Sequence, residues 1–486
     1  MKPRSGLALL FLSVLAVLVP AGLLAGHDAR HAVKAPKRAR PNIVVVMTDD
    51  QTLENMRVMR NVKQLLGKQG ATFDEAVVSY ALCCPSRATF FTGQYAKNHR
   101  VLSNRLPYGG FKRFDHRTAL PVWLRRGGYH TAHVGKYLNG LGVAKPRERP
   151  AGWDEWYGTV DPSTYRYWNY TLNENGWLVR YGDKMTDYQT DVLGRKAVRV
   201  IETHALRRKP LFLSVAFLAP HSGGPVTLDD PPRMLTPEPA PRHRDRFVFE
   251  SLPAPPSYDE ENVKDKPVRV RRRKLLEDYV VFAMTENYQQ RLESLLSVDE
   301  AVRNIVNALQ RTGELENTYI FFTSDNGFFH GEHRIANGKV LPYDPALRVP
   351  LVVRGPGIKP GLVLKQLVAN IDLAPTIADI ARVPPGRIVD GVSLIGLLNT
   401  GTWGVDRDIL IESGPSRKLS QMFSGIRTAR HQYVEYANGE RELYDLVKDP
   451  YQLTNVAGEP EHETLLAELA QRLDALEACA GPTCRR

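Results

Sequence analysis

An α/β fold, with a large doubly wound mixed sheet flanked by helices and a smaller C-terminal antiparallel α+β domain, is what this 486-residue sequence predicts, on three observations. Four apolar runs have the length and β-branched content of buried parallel strands: residues 42–47, 130–135, 211–217 and 318–322. The segments between them carry apolar residues at helical spacing, such as Val298, Val302, Ile305, Val306 and Leu309 ahead of the 318–322 run. Alternating strand and helix implies a doubly wound sheet. Past about residue 405 the pattern changes to short strand-like runs around an Asn438-Gly439 turn, which reads as an antiparallel hairpin. Leu465, Leu466, Leu469, Leu473 and Leu476 then recur at helical spacing.

From the N-terminus, Met1-Lys2-Pro3-Arg4 and an apolar run from about Leu7 to Ala25 read as a Sec-type signal sequence over residues 1–26, with a polar, basic linker over 27–40. There is no twin arginine, and no cysteine follows the apolar run to take a lipid. The cleavage site is not a clean small-x-small pattern, so an uncleaved anchor is the alternative. The main domain then covers 41–400 and the smaller one 405–486. Export to the cell envelope or the medium is the expected location, and cysteine usage agrees with it. Besides Cys83 and Cys84 the chain has only Cys479 and Cys484, close enough for a local disulfide at the C-terminus.

The chain is 43% hydrophobic and 24% charged, an ordinary globular composition, with a net charge of +12. That charge is mostly spread out, so neither a nucleic-acid partner nor, once the signal sequence is removed, a membrane is expected. Its one dense run, Arg269 to Lys274, follows a Pro-rich irregular stretch and reads either as a solvated face or as a hold for an acidic substrate.

The four apolar runs end in residues that an interior strand does not need. The first ends in Thr48-Asp49-Asp50 and the fourth in Thr323-Ser324-Asp325-Asn326-Gly327; the others run into Lys136 and into Pro220-His221. Open α/β sheets bind ligands outside the carboxyl ends of their strands, so one pocket is expected to collect all four ends. A fifth segment, Leu82-Cys83-Cys84-Pro85-Ser86-Arg87-Ala88-Thr89-Phe90-Phe91-Thr92-Gly93, places Pro85 in a first helical turn and Gly93 at a helix end, with Cys83 as the expected cap. The partial positive charge of a helix N-terminus favours an anionic oxygen there.

Cysteine, any residue, proline, serine and arginine, followed by a threonine-glycine pair, is the maturation signature of sulfatases, which the Cys83–Gly93 segment resembles. Asp49-Asp50-Gln51, Gly135-Lys136-Tyr137, Pro220-His221, Asp325-Asn326-Gly327 and Val349 to Gly357 resemble the successive sulfatase blocks, in the right order. Ile371 to Thr376, Asp390 to Leu394 and Leu443 to Leu446 are also similar to that family, so the likeness covers nearly the whole chain after the signal sequence. The doubled cysteine and Gly-Lys-Tyr-Leu-Asn resemble the branch containing N-acetylglucosamine-6-sulfatases and heparan endosulfatases.

The resemblance implies that a formylglycine-generating enzyme oxidises Cys83, and that the hydrated aldehyde is the nucleophile. It implies a Ca²⁺, preferred to Mg²⁺, held in an oxygen cage of Asp49, Asp50, Asp325 and Asn326 and completed by the oxidised Cys83. Lys136 and Lys339 are expected on the sulfate oxygens, Arg87 beside the hydrated aldehyde, and His221 near the leaving-group oxygen. One departure is visible: many sulfatases have histidine two residues after the lysine of the Gly-Lys motif, and this chain has Leu138. His133, His99 and Asn139 are the open candidates for that role, and His330 and His333 for the leaving-group side. The implied substrate is a sulfated carbohydrate. The competing readings are a phosphoester or phosphonate monoester hydrolase of the same fold, and a glycan-binding protein with unmodified Cys83.

Overall fold

Ten strands form one mixed sheet, and its five central members, Thr318–Ser324, Asn42–Thr48, Leu211–Ala216, His130–Gly135 and Glu155–Thr159, lie parallel in that order. Antiparallel strands extend it on both sides: Leu351–Arg354 beyond Thr318–Ser324, then Tyr170–Glu174 and Trp177–Tyr181 beyond Glu155–Thr159. The short strands Ala71–Phe73 and Leu362–Leu364 complete the Leu351 edge. The structure is a computed structural model that describes residues 40–207, 209–228, 230–403 and 407–485. The expected signal sequence, and the linker up to residue 39, lie outside the described residues.

The four apolar runs form strands because both faces of each are covered. Ile43, Val45, Phe212 and Phe321 point into one core with the helices Cys83–Thr92, Leu120–Arg126 and Leu373–Ala381. Val44, Val46, Leu213, Ile320 and Phe322 point into the other, against Gln189–His204 and Asp278–Arg311. Each fully buried Val, Ile or Phe contributes roughly 1.5–3 kcal/mol, so these strands occupy the middle of the sheet. The predicted covering helix before residue 318 is the C-terminal part of the 34-residue Asp278–Arg311 helix.

The C-terminal strands Ile409–Glu412, Phe423–Arg427, His431–Tyr436 and Arg441–Asp445 form a separate antiparallel sheet, and Asn438-Gly439 turns between the last two. The helix Glu463–Ala478 buries Leu466, Leu469, Leu473 and Leu476 against it, and Cys479 is bonded to Cys484. This core is shared, since Val77, Val78, Phe329, Leu341 and Tyr343 pack in it beside Ile411, Tyr433 and Leu443.

Candidate active site

Register fixes the acidic pairs. Thr48 lies opposite Ser324 across the two central strands, so Asp49-Asp50 and Asp325-Asn326 leave the sheet side by side. The amide of Asp50 donates to Asp325 Oδ1 at 3.1 Å, and that of Gln51 to Ser324 Oγ at 2.9 Å. Gly135 ends its strand at φ 104°, and a Cβ there would lie 2.0 Å from the carbonyl oxygen of Ala216; glycine at this close approach lets the chain turn and deliver Lys136. Lys136 donates to Asp49 Oδ2.

The helix carrying Cys83 runs Cys83–Thr92 and ends at Gly93, but Cys83 is its first residue and not its cap. Leu82, extended at φ −152° and ψ 134°, takes the cap position, one residue earlier than the sequence implies. Cys83 Sγ is 1% exposed and lies 3.5 Å from Asp49 Oδ1 and 2.9 Å from Lys339 Nζ. One turn on, Arg87 Nε donates to Asp325 Oδ2 at 2.8 Å, Nη1 to the Lys136 carbonyl at 3.1 Å, and Nη2 lies 3.3 Å from Asp49 Oδ2. Lys339 also donates to Asp50 Oδ1, so two lysines face two aspartates around the sulfur.

Burial alone would raise Asp49, but Lys136, His221, Arg87 and Lys339 outweigh it and hold its carboxyl far below the usual range. Burial would lower Lys136 and Lys339, and Asp49 and Asp50 outweigh it and raise both. Asp325 is pushed up to about 6 by burial and the Asp49 charge, against the pull of Arg87. Burial with the Asp49 charge pushes the Cys83 thiol up to about 12, despite both lysines, so as a thiol this residue is a poor nucleophile.

The residues fit a hard divalent cation. Asp49, Asp50 and Asp325 each offer a carboxylate oxygen, all within 4.8 Å of one another. Asn326 Nδ2 donates to Asp50 Oδ1 at 2.6 Å, while its Oδ1 is buried with no hydrogen-bond partner. Such an orphaned acceptor costs about 1–3 kcal/mol, and a cation on this all-oxygen set would satisfy it.

His221 sits at the rim, its Nε2 3.7 Å from Asp50 Oδ2, its Nδ1 2.7 Å from the Ser222 carbonyl and its ring 5.0 Å from that of Tyr165. The other candidates separate. His133 is buried against Trp156 with Nδ1 3.2 Å from Ser214 Oγ, and His99 is buried with Nε2 3.0 Å from Thr89 Oγ1; burial depresses both to about 3. His333 is tied to Glu260 at 2.7 Å and lies against the Tyr343 ring, centroids 4.3 Å apart and tilted, and His330 packs against Phe328 and Tyr288. Asn139 alone adjoins the centre, donating to Tyr165 Oη, whose ring lies 4.7 Å from Lys136 Nζ.

Two neighbours of the centre carry no motif. Tyr165 ends the short 3-10 turn Ser163–Tyr165, which has no sequence signal of its own. Arg291, fully buried, donates to the carbonyls of Asp50 and Pro220, and its guanidinium lies 4.1 Å from the Phe328 ring. An arginine beside Leu292 and Leu295 on the inner face of an amphipathic helix was the available sign.

A Sulfatase family model matches residues 41–383, and a model for the C-terminal part of N-sulphoglucosamine sulphohydrolase matches residues 331–479. The chain is 35% identical to the N-acetylglucosamine-6-sulfatase of Homo sapiens, over 92% of this chain and 86% of that one. It is 33% identical to the extracellular sulfatase SULF-1 homolog of Drosophila melanogaster, over 87% of this chain and 38% of that protein. The structure of BT4656 in complex with its substrate D-glucosamine-2-N,6-O-disulfate matches with a TM-score of 0.73 at 25% identity, covering 90% of this chain and 97% of that one. With its central parallel strands delivering the acidic and lysine residues around Cys83, the chain belongs to the sulfatase family and is a sulfuric ester hydrolase.

Proposed function

We propose that the chain is an exported sulfatase that removes sulfate monoesters from a sulfated carbohydrate, with Cys83 oxidised to formylglycine and Ca²⁺ held by Asp49, Asp50, Asp325 and Asn326. The observation that carries this reading is the position of Cys83 at the first turn of a helix, between Lys339 and Asp49. A sulfate monoester spreads negative charge over its outer oxygens and repels nucleophiles, so cations must receive it first. Lys136 and Lys339 are the two ammonium groups placed to do so, and bound Ca²⁺ would add Lewis acidity. The hydrated aldehyde supplies one hydroxyl for attack on sulfur and a second whose deprotonation releases sulfate. Arg87 holds Asp49 and Asp325 in place beneath that group.

His221 is the rim group for the leaving oxygen, because Asp50 and Tyr165 confine its ring and Ser222 occupies Nδ1, leaving Nε2 toward the centre. The human relative is named for N-acetylglucosamine-6-sulfate, and BT4656 was solved with a 6-O-sulfated glucosamine; both support that sugar here. Export is supported by the signal-like N-terminus, by the Cys479–Cys484 disulfide and by the relative named as extracellular.

The test is the mass of the peptide spanning Cys83, taken from protein made alongside a formylglycine-generating enzyme, together with aryl sulfate turnover. The expected peptide is about 18 Da lighter than the thiol form, in proportion to activity. Full turnover by a peptide that keeps its thiol would overturn the nucleophile. A thiol with binding but no turnover would favour the glycan-binding reading.

A further inference from the structure

We infer that a strip of unpaired cations, leading from the mouth of the site across the edge of the C-terminal sheet, holds the anionic groups of a sulfated glycan beyond the sulfate being cleaved. The inference rests on the sulfatase reading above and adds to it a polyanionic, extended substrate.

Three segments far apart in sequence meet to form the strip. The first is the loop 102–108, anchored beside the nucleophile because Asn104 Oδ1 accepts from the Cys84 amide at 2.9 Å. Its ends are closed by Leu102 N–H donating to the Tyr108 carbonyl at 2.7 Å, and its tip exposes Arg105 and Tyr108. The second is the loop after strand Ile409–Glu412. The Glu412 amide donates to the Ser79 carbonyl at 2.7 Å, and Gly414 packs so tightly that a Cβ there would lie 2.0 Å from the Leu102 carbonyl oxygen and 2.2 Å from Tyr80 Oη. Arg417 and Lys418 follow at the surface. The third is the basic run itself, because the Leu419–Gln421 turn packs against the Val268–Arg271 turn that begins it.

Only part of the basic run is free to bind. Arg271 is held by the Lys266 carbonyl at 2.8 Å and by Glu440 at 3.1 Å, and Arg273 donates to the Arg334 carbonyl at 3.4 Å. Arg272 and Lys274 are exposed, and no carboxylate of the described residues pairs with either, nor with Arg105, Arg417 or Lys418. Uncompensated like charges on neighbouring exposed segments raise the local concentration of a polyanion and are screened by salt. A sugar chain with one sulfate in the pocket would carry its other anionic groups along this line.

The test uses the full chain with Arg417→Glu/Lys418→Glu and, separately, Arg272→Glu/Lys274→Glu, assayed on a heparin oligosaccharide and on a small aryl sulfate. At low salt the oligosaccharide KM should rise about tenfold in either variant, as expected for two exposed charge contacts at roughly threefold each. Oligosaccharide kcat and aryl sulfate turnover should stay unchanged, and the difference should fade in high salt. An equal loss on both substrates, or none on either, would overturn the strip. Elution from immobilised heparin separates the two proposals: earlier elution of the variants from a protein that hydrolyses no sulfate ester would sink the sulfatase reading and keep the strip. Co-elution with wild type would sink the strip, and an equal drop in affinity for double-stranded DNA would overturn its assignment to glycans.

Discussion

Arg291 holds Asp50 by its backbone, its guanidinium donating to the Asp50 carbonyl and, at 3.0 Å, to the Pro220 carbonyl that precedes His221. One buried cation thus sets the positions of a carboxylate proposed to hold Ca²⁺ and of the rim histidine. Arg291→Met keeps the bulk and removes both donors, and should destabilise the fold by about 2–4 kcal/mol in urea unfolding. Arg291→Lys should fold and lose kcat with little change in KM. Undiminished stability of the methionine variant would mean that these carbonyls do not need their donor.

The orphaned Asn326 Oδ1 predicts a cation by its effect on stability. Calcium added to chelator-treated protein should raise Tm. Asn326→Ala should weaken binding about tenfold, which reduces the saturating-range stabilisation by about 1.4 kcal/mol. A wild-type Tm indifferent to both chelator and calcium would remove the metal assignment.

His133 offers a pH test away from the centre. Its folded pKa lies near 3, below the ordinary value of 6.5, because burial disfavours its charged form. A group depressed in this way contributes its stability fully above pH 6.5 and loses it as the pH falls from there toward 3. Between pH 7 and pH 5 the wild type should therefore lose about 2 kcal/mol that His133→Phe does not. Parallel pH–stability curves for the two proteins would contradict this.

Glu442 accepts from three buried tyrosines: Tyr343 at 2.7 Å, Tyr436 at 2.6 Å and Tyr444 at 2.5 Å. Tyr343 lies four residues beyond Lys339, so the C-terminal sheet braces the loop that carries the lysine beside Cys83. Glu442→Ala orphans three hydroxyls and should cost about 3–5 kcal/mol in denaturant unfolding. Glu442→Gln should restore most of that. Failure of glutamine to rescue would locate the requirement in charge and not in hydrogen bonding.

The two adjacent cysteines should behave oppositely. Cys83→Ala should abolish sulfate ester hydrolysis, because nothing else at the centre replaces its side chain. Cys84 packs in the core with Phe90 and Phe91, so Cys84→Ala should cost about 1–2 kcal/mol of stability and leave measurable turnover. Retained activity in the first variant would refute the nucleophile.

Four of the five central strands were legible because burial on both faces writes a largely apolar run, and the acidic pairs were legible because they interrupt such runs at their ends; the fifth, Glu155–Thr159, had no expectation before it. Leu351–Arg354 and Tyr170–Glu174 pair with their neighbours through backbone groups, and no expectation preceded them as strands. The family blocks named Lys339, whose loop has no pattern of its own. Which histidines face the centre depended on packing: His133 and His99 sit near the right segments in sequence, yet rings and hydroxyls of the core hold them. Arg291 went unread because a helical period records where apolar residues fall and passes over the charge set among them.

The burial of Cys83 also sets an order of events in time. Its sulfur is covered by Asp49 at the end of the strand Asn42–Thr48 and by Lys339 from beyond Thr318–Ser324, so the cover is complete only after residue 339 has been made and has docked. If Cys83 is oxidised as proposed, the enzyme that does it must reach this side chain on a chain still emerging or still open. Variants that fold faster than they are modified should therefore accumulate as stable, well-folded and inert protein, a failure that stability measurements alone would score as success.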